Sequence, residues 1–431
     1  MRINVLAFAV LLAQLPPIVA RAEDQVTRTP EAIEDFVVAD GGGLLVFKLT
    51  GLGGLVLYDT AQKKISKIIK LPSDNFIYGA GGKTAVCYFP ENNIVQSWDL
   101  KTYKKTKTKP NPMSGPILRI LMGHSRGDVA FCRYSEGTDA LDRAQCFLLD
   151  TGSLLTVLPD ISTDNTSYRD DVRLRADGDL GHVTEWATSH SPSGVSILVR
   201  TGKGYELKDE HDSEGYLVPG DDGRVYTGTG KILSSDLTMS GQIKGQLLFP
   251  GIGGSLVLGV DDRGKITAYG AGTTTPIGPV GDFPDWPKDQ DLDYRFRGNR
   301  NLDKLLVFNP LAGNIIFIPP TNDRIIQRSF DLKAALDKAG IDYLVVTSVP
   351  DCRAEPGKEW SYKVDTISNS ASVNCKLELA PDGMKISKGG KLSWSVPKEF
   401  EGSEKVVVLL SNKANEQTWH SFEVVAHKSG K

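Results

Sequence analysis

Cysteine, histidine and long apolar runs are scarce in this chain. Five cysteines and six histidines occur in 431 residues. There is no Cys-x-x-Cys pair, and no cysteine has histidines at zinc spacing, so a structural zinc site has no support. The histidines His124, His182, His190, His211, His420 and His427 are scattered. Only His182 and His190 are placed to meet across a hairpin, and a pair is too few to define a metal centre. Beyond the first twenty or so residues no apolar stretch approaches the ~18 residues that a membrane helix needs. An excess of one charge is lacking too. The formal net charge is −3, which gives the chain as a whole no pull towards nucleic acid or an anionic membrane. Apolar residues at 40% and charged residues at 24% exclude a disordered or collagen-like chain.

The one apolar run near the start reads as an address. Arg2 precedes VLAFAVLL, and Ala20-Arg21-Ala22 forms an A-x-A cleavage signal. Residues 1–22 are therefore expected to be a secretory signal peptide, and the mature chain is expected outside the cytoplasm: periplasmic, on the cell surface or extracellular. Export makes the cysteines disulfide candidates. Cys132 and Cys146 lie in strand-like runs and are expected to bridge across a turn. Cys352 and Cys375 are expected to pair in the C-terminal part. Cys87, in TAVCYF, is left as a buried thiol.

What is abundant is the short apolar run bounded by turn residues. LLVFKL, GLVLYD, KTAVCYF, VSILV, SLVLGV, KLLVFN and NIIFI are examples. Runs of this length between Gly, Asp and Pro read as strands. A strand ending in a polar residue, a turn and a second strand recur at Asp59, Asp99 and Asp150. Weaker copies fall at Arg200, Asp236, Gly270 and Pro319. A repeat of ~40–50 residues holding four short strands is the pattern of a β-propeller blade. Seven anchors predict an all-β chain built on a seven-bladed propeller over residues 23–342, with six to eight blades as the bracket. The strand-like FVVAD (36–40) is expected to complete the last blade. Asp331, LKAALDKA and Gly340 predict one short closing helix over 331–340.

Residues 343–431 form a second unit. EWSYKVDTI, VNCKLEL, KLSWSV, KVVVLLS and TWHSFEVVAH alternate as strands of a small antiparallel sandwich, and Trp360, Trp394 and Trp419 are expected in its core. Here Leu379-Ala380-Pro381-Asp382-Gly383-Met384-Lys385-Ile386 is followed by Gly390-Lys391-Leu392-Ser393-Trp394-Ser395-Val396-Pro397. These two strings resemble the P-x-G-M-x-I and G-x-L-x-W-x-P hallmark of the immunoglobulin-like, cadherin-like domain of many exported bacterial proteins. The propeller resembles the YVTN and WD-repeat-like class through its Asp59, Asp99 and Asp150 repeats. The resemblances imply an extracytoplasmic binding or surface protein and no catalytic residues.

Several motifs carry candidate chemistry. Gly123-His124-Ser125-Arg126-Gly127 matches G-x-S-x-G, the nucleophile elbow, which needs a strand before it and a helix after it. Strand-like DVAFCRYS follows instead, so a turn between strands is expected. Asp289, Asp291 and Asp293 stand at alternate positions like the start of a calcium loop, but Tyr294 and Arg300 occupy the places of the loop's Gly and Glu. A non-standard calcium site and a solvated loop both stay open. Tyr294, Arg295, Arg297 and Arg300 mix aromatic and guanidinium groups and are the binding candidates, for a sugar or a polyanion. Asp177-Gly178-Asp179, Asp221-Asp222-Gly223 and Asp261-Asp262-Arg263-Gly264 read as hairpin turns. Lys101, Lys104, Lys105, Lys107 and Lys109 form a basic stripe on the expected outer strand of blade two. It either blocks edge pairing or docks an anionic cell-surface polymer.

The leading expectation is an extracytoplasmic, non-catalytic binding or scaffold protein with a protein or cell-surface polymer as partner and no cofactor. The propeller presents the interaction surface and the sandwich acts as spacer or docking module. The rivals are a propeller enzyme acting on surface polysaccharide, with Asp289, Asp291 or Glu185 in its channel, and a calcium-dependent adhesion protein. A carboxylate pair ~5–10 Å apart across a deep channel would favour the enzyme, and an apolar plug would favour the scaffold.

Overall fold

The computed structural model describes residues 24–135, 144–161, 172–187, 195–201, 204–210, 216–287, 302–351, 353–370, 372–414 and 416–426. Residues 1–22, and with them the expected signal peptide, lie outside that set. So do Asp289, Asp291, Asp293, Tyr294, Arg295, Arg297 and Arg300, together with Cys352 and His190.

Seven four-stranded antiparallel sheets follow one another along the chain. Six are built from consecutive strands: blade 1 over 33–70, blade 2 over 77–110, blade 3 over 117–161, blade 4 over 172–210, blade 5 over 217–242 and blade 6 over 247–282. Each has an innermost first strand and an outermost fourth strand. Blade 7 takes three strands from 306–329 and its outermost strand, Gln25–Arg28, from the other end of the chain. Six apolar clusters hold the sheets together. Blades 1 and 2 share one around Leu57 and Phe89, and blades 2 and 3 share another around Tyr88 and Phe147. Blades 3 and 4 meet around Phe131 and Leu198, and blades 7 and 1 around Ile325 and Phe47. Two further clusters run through blades 4 to 7. The ring therefore closes, with blade 7 packed on blade 1.

The recurrent aspartates have a local cause. Asp59, Asp99 and Asp150 each end the third strand of a blade. Their carboxylates accept the backbone N–H groups of the turn that follows: Gln62 at 2.8 Å, Lys101 and Thr102 at 2.8 and 2.7 Å, and Ser153 at 2.6 Å. Side-chain capping of this kind is what favours Asp in turns. The next strand then starts from a left-handed residue, Lys63, Tyr103 or Leu154. Gly270 ends the third strand of blade 6 and Arg200 stands next to the end of it in blade 4, whereas Asp236 lies in the turn after the third strand of blade 5, Lys231–Leu233. Pro319 is not at that place, because it follows the second strand of blade 7, Asn314–Phe317. The third strand is Arg324–Ser329, so Ser329 takes the anchor's place. The closing strand also differs from expectation. Phe36–Ala39 belongs to Ile33–Ala39, the innermost strand of blade 1, and Gln25–Arg28 closes the ring.

Closure is held by charge as well as by ladder bonds. Arg328 makes two hydrogen bonds to Asp24, both at 2.8 Å, and its guanidinium lies 4.2 Å from the Phe283 ring centroid. Asp331 accepts from Ala334 N and starts the helix Leu332–Ala339, and Gly340 ends it at φ +65°. Leu332 and Leu336 pack into the core of blades 4 to 7. No described helix is long and apolar enough to cross a membrane.

Beyond the helix two sheets face each other. One holds Arg353–Ala354, Gln417–Ala426, Gly402–Asn412 and Val373–Leu379, and the other Glu359–Lys363, Lys391–Ser395 and Lys385–Ile386. Trp360, Trp394, Val408 and Phe422 lie in the shared core, so this unit is a β-sandwich. Trp419 is not in that core and is 61% exposed. The strand has two phases, and Phe422 and Val424 put the other phase inward. His420 occupies that inward phase, its ring tilted against Phe422 with centroids 5.1 Å apart and bonded to Tyr362 Oη at 3.0 Å. Burial pushes its pKa down to about 4.

The expected Cys132–Cys146 disulfide is not formed, and the expected Cys352–Cys375 pair falls outside the described residues at Cys352. Cys132 faces Phe147 across the ladder, and Arg133 faces Cys146. Side chains alternate between sheet faces, so the two thiols point apart. Cys132 enters the core shared with blade 2 and Cys146 the core shared with blade 4. Cys87, Cys132, Cys146 and Cys375 are all free thiols. Cys87 is buried, as expected, and burial pushes its pKa far up.

If Arg328 latches the ring, Arg328→Ala should lower stability by about 2–3 kcal/mol, since it strips a partner from a largely buried pair. Denaturant unfolding at neutral pH is the check, and an unchanged midpoint would place the latch elsewhere.

Candidate functional site

The turn joining the first and second strands of every blade lies on one face, around the axis. These seven turns are linked by a closed circuit of hydrogen bonds. Asp40 N of blade 1 donates to Gly82 O of blade 2 (2.7 Å), while Gly82 N and Gly41 N both donate to His124 O of blade 3 (3.0 and 2.9 Å). Ser125 N donates to Gly178 O of blade 4 (2.8 Å). The Asp221 carboxylate of blade 5 then accepts from Gly178 N on one oxygen (2.8 Å) and from Gly253 N of blade 6 on the other (2.7 Å). Ile252 N donates to Phe308 O of blade 7 (2.9 Å), and Asn309 Nδ2 returns to Gly41 O (3.3 Å).

Backbones can approach this closely only where Cβ is absent. A Cβ at Gly123 would lie 2.4 Å from Gly178 O, and one at Gly42, which has φ +88°, would lie 2.4 Å from Asn309 Nδ2. A glycine or aspartate at the same place in successive repeats was the sequence signal for this circuit. Asp177-Gly178-Asp179 and Asp221-Asp222-Gly223 are the turns expected of them, as is Asp261-Asp262-Arg263-Gly264 between the second and third strands of blade 6.

Gly123-His124-Ser125-Arg126-Gly127 supplies blade 3's share. It joins Ile117–Leu121 to Val129–Ser135, strand to strand, as expected. Ser125 Oγ lies 2.9 Å from His124 Nδ1, and His124 Nε2 lies 3.1 Å from both oxygens of Asp221. Serine, imidazole and carboxylate are thus in line. Acyl transfer also needs backbone N–H groups aimed at the developing oxyanion. Ser125 N is bonded to Gly178 O and Arg126 N to Gly123 O at 2.9 Å, so the donors that an elbow would offer are already used. The arrangement ties blades 3, 4 and 5 together.

The electrostatics of this face are uneven. Burial opposes a charged His124, but the Asp221 carboxylate outweighs it and raises the imidazole's pKa. Burial opposes a charged Asp221 too, yet His124 and the Gly253 and Gly178 N–H groups outweigh it and lower its pKa. Asp177 is 4% exposed. Burial first, then Asp179 and Asp221, pushes it up to about 7. Its partner His182, at 2.7 Å, is raised by Asp177 against the effect of burial.

Behind the turns the axis holds a cavity of about 150 Å³, walled by Phe36, Val38, Leu121, Val218, Leu306 and other inner-strand residues. His124, Arg175, Asp177, Asp221 and Asp303 line it too; Arg175 pairs with Asp303, and the neighbouring Lys304 pairs with Asp35. Glu185, expected as a channel acid, is elsewhere. It is buried between blades 3 and 4, 2.7 Å from Arg133, which is itself buried. Burial raises its pKa and Arg133 opposes the rise. No described group of three or more His, Cys, Asp or Glu side chains is arranged to hold a metal ion.

On the outer side of the turns a cleft of about 870 Å³ separates the propeller face from the sandwich. Asp179, Arg200, Asp222 and Arg224 line it from the propeller, and Trp419 and Glu423 from the sandwich. An exposed indole among charged groups that fork is a pattern shared by binding surfaces. Sequence reasoning missed this site because Trp419 had been assigned to the core.

A raised His124 pKa stabilises the folded state fully below the unfolded value near 6.5, and the gain is lost as pH rises through the folded value. Asp177, also raised, acts in the same direction. Thermal stability should therefore fall from pH 6 towards pH 9, and His124→Gln should destabilise at pH 6 by about 1–2 kcal/mol while flattening that fall. Melting curves across this range are the check, and an equal slope in both proteins would remove His124 from the account.

No protein-family model matches the chain, and no curated protein matches it. Among solved structures it is similar to the β-propeller domain of Cps50 (Swd1) from Myceliophteria thermophila, at 11% identity over 71% of this chain and 99% of that one, TM-score 0.45. It is similar also to a chain of the mitotic checkpoint complex, at 10% identity over 77% and 100%, TM-score 0.48. A third is Hsv2 from Kluyveromyces marxianus, at 9% identity over 73% and 93%, TM-score 0.42.

Proposed function

We propose that the chain is an extracytoplasmic, non-catalytic binding protein whose partner, a protein or a cell-surface polymer, is seated in the cleft between the propeller's turn face and the sandwich. The observation that carries this reading is the placement of Trp419, an exposed indole facing Arg200, Arg224, Asp179 and Asp222 across that cleft. Indole and guanidinium groups are the side chains that most often dominate binding energy at such surfaces. The turn circuit supports the same reading. The cleft's floor is the part of that circuit contributed by blades 4, 5 and 6, so the charged groups on it are preorganised, which lowers the cost of binding. The sandwich is an immunoglobulin-like docking module in this proposal, on the strength of its P-x-G-M-x-I and G-x-L-x-W-x-P strings. Export rests on the signal-like residues 1–22.

Two measurements test it. N-terminal sequencing of protein from the extracytoplasmic fraction of the source cells should begin after Ala22. Sedimentation of the purified chain with isolated cell envelopes should show saturable binding, and Trp419→Ala should weaken it about tenfold or more. Wild-type sedimentation by Trp419→Ala would overturn the cleft as the site.

A further inference from the structure

We propose that the outer rim of blades 1 and 2 is a second binding surface, for a linear anionic polysaccharide. The outermost strand of blade 1 is Lys64–Lys70, with sequence KISKIIK, and that of blade 2 is Lys104–Pro110, with sequence KKTKTKP. With the turns that lead into them they carry Lys63, Lys64, Lys67 and Lys70 on one blade and Lys101, Lys104, Lys105, Lys107 and Lys109 on the next. Six of the nine are exposed and three half-buried. Neither strand contains an acid. The nearest carboxylates in register, Asp59 and Asp99, are turned to the backbone N–H groups of their own turns. Among the described residues no ion pair engages any of the nine, whereas Lys48, Lys83, Lys304 and Lys376 all have carboxylate partners.

The two strands form one surface. Lys67 Nζ of blade 1 lies 5.3 Å from the ring centroid of Tyr103 in the turn that opens the outer strand of blade 2, a cation–π contact that bridges the blades. The other outer strands are different. Thr156–Ile161 reads TVLPDI, Gly204–Glu210 reads GYELKDE, Met239–Gln242 reads MSGQ and Pro276–Asp282 reads PIGPVGD. Proline, short length or acid suffices to protect those edges from pairing with another chain. Edge protection therefore does not call for nine lysines on two adjacent blades of a chain whose net charge is −3. Like charges held this close raise the folded state's energy, and a bound polyanion would relieve that repulsion.

The chemistry narrows the ligand. All nine cations are lysines, compact point charges without the planar fork that arginine offers to a particular phosphate or carboxylate. That suits a repeating polyanion read by charge spacing. A seven-residue strand extends about 23 Å, long enough to follow several units of a chain. Single-stranded nucleic acid wants aromatic platforms for its bases, and Tyr103 here is engaged by Lys67. A membrane surface wants a broad apolar face beside the cations, and Ile68, 41% exposed, is a lone side chain.

The test uses the full chain and fluorescein-labelled heparin as probe, with affinity read by anisotropy from about 50 to 200 mM NaCl, the range over which polyanion contacts weaken steeply. Lys67→Gln/Lys104→Gln/Lys105→Gln/Lys107→Gln should lose about tenfold or more in affinity and show a shallower salt dependence. The matching lysine-to-arginine variant should bind as wild type. Lys358→Gln/Lys385→Gln/Lys388→Gln on the sandwich should also bind as wild type, and unpatterned attraction would make it weaken too. Circular dichroism checks that each variant is folded. The proposal is overturned by absent binding at 50 mM NaCl or by equal affinity in the glutamine variant. It is overturned too if single-stranded DNA or phosphatidylserine vesicles compete more strongly than heparin at equal charge, because the partner would then be of another class.

Discussion

The hydrogen-bond circuit around the axis is the interaction on which the rest depends. A ring of sheets held only by apolar clusters could slide, because hydrophobic attraction has no direction. The circuit gives it one. His124 O takes two N–H groups from two other blades, and the Asp221 carboxylate takes one from each of its neighbours. Each bond fixes the register of one blade against the next. Where the group is buried, as Gly178 N is, the bond also satisfies a donor that would otherwise lack a partner, at a cost of about 1–3 kcal/mol. The turn face is rigid for that reason, and whatever sits on it meets a fixed pattern of charge.

Much of the fold was legible in the sequence. Strand runs, turn residues and the aspartates at 59, 99 and 150 reflect local physics: alternation over a pleated sheet and side-chain capping of a turn. The helix from Leu332 to Ala339 was legible through its two caps for the same reason. The composition of blade 7 was not. Its fourth strand lies about three hundred positions away, so the C-terminal run offered three strands, and the repeat was counted from the wrong one. The inner strand Ile33–Ala39 looked like a spare closing strand because an inner and an outer strand have the same period.

The site was harder to read. Two glycines that must touch a neighbouring blade, Gly123 its backbone and Gly42 its side chains, look like any other turn glycines until the neighbour is known. Trp419 shows the same limit. An alternating strand has two phases, and which faces inward was decided by Phe422, Val424 and the Tyr362 hydroxyl that receives His420. The cysteines were misread in the opposite way. Cys132 and Cys146 are close, but a single step of register sends their side chains into different cores. The Gly123 to Gly127 segment matched an enzyme motif in letters and a propeller turn in context, and the context decided it.

Gln25–Arg28 completes the sheet that 306–329 begins, and this has a bearing on how the molecule forms. A ribosome releases the first strand long before its partner exists. Blades 1 to 6 have all their strands from contiguous chain and can assemble in order. The last cannot, so the ring stays open until synthesis has passed Ser329. Until then the incomplete blade shows an unpaired edge, and Gln25–Arg28 is an orphan. Joining them pays the entropy of a very long loop, but that cost grows only logarithmically with length. It falls further once six blades have already brought the two ends together. The final step is thus a docking event within a nearly finished body, and the interval before it is when this chain is most open to pairing with a stranger.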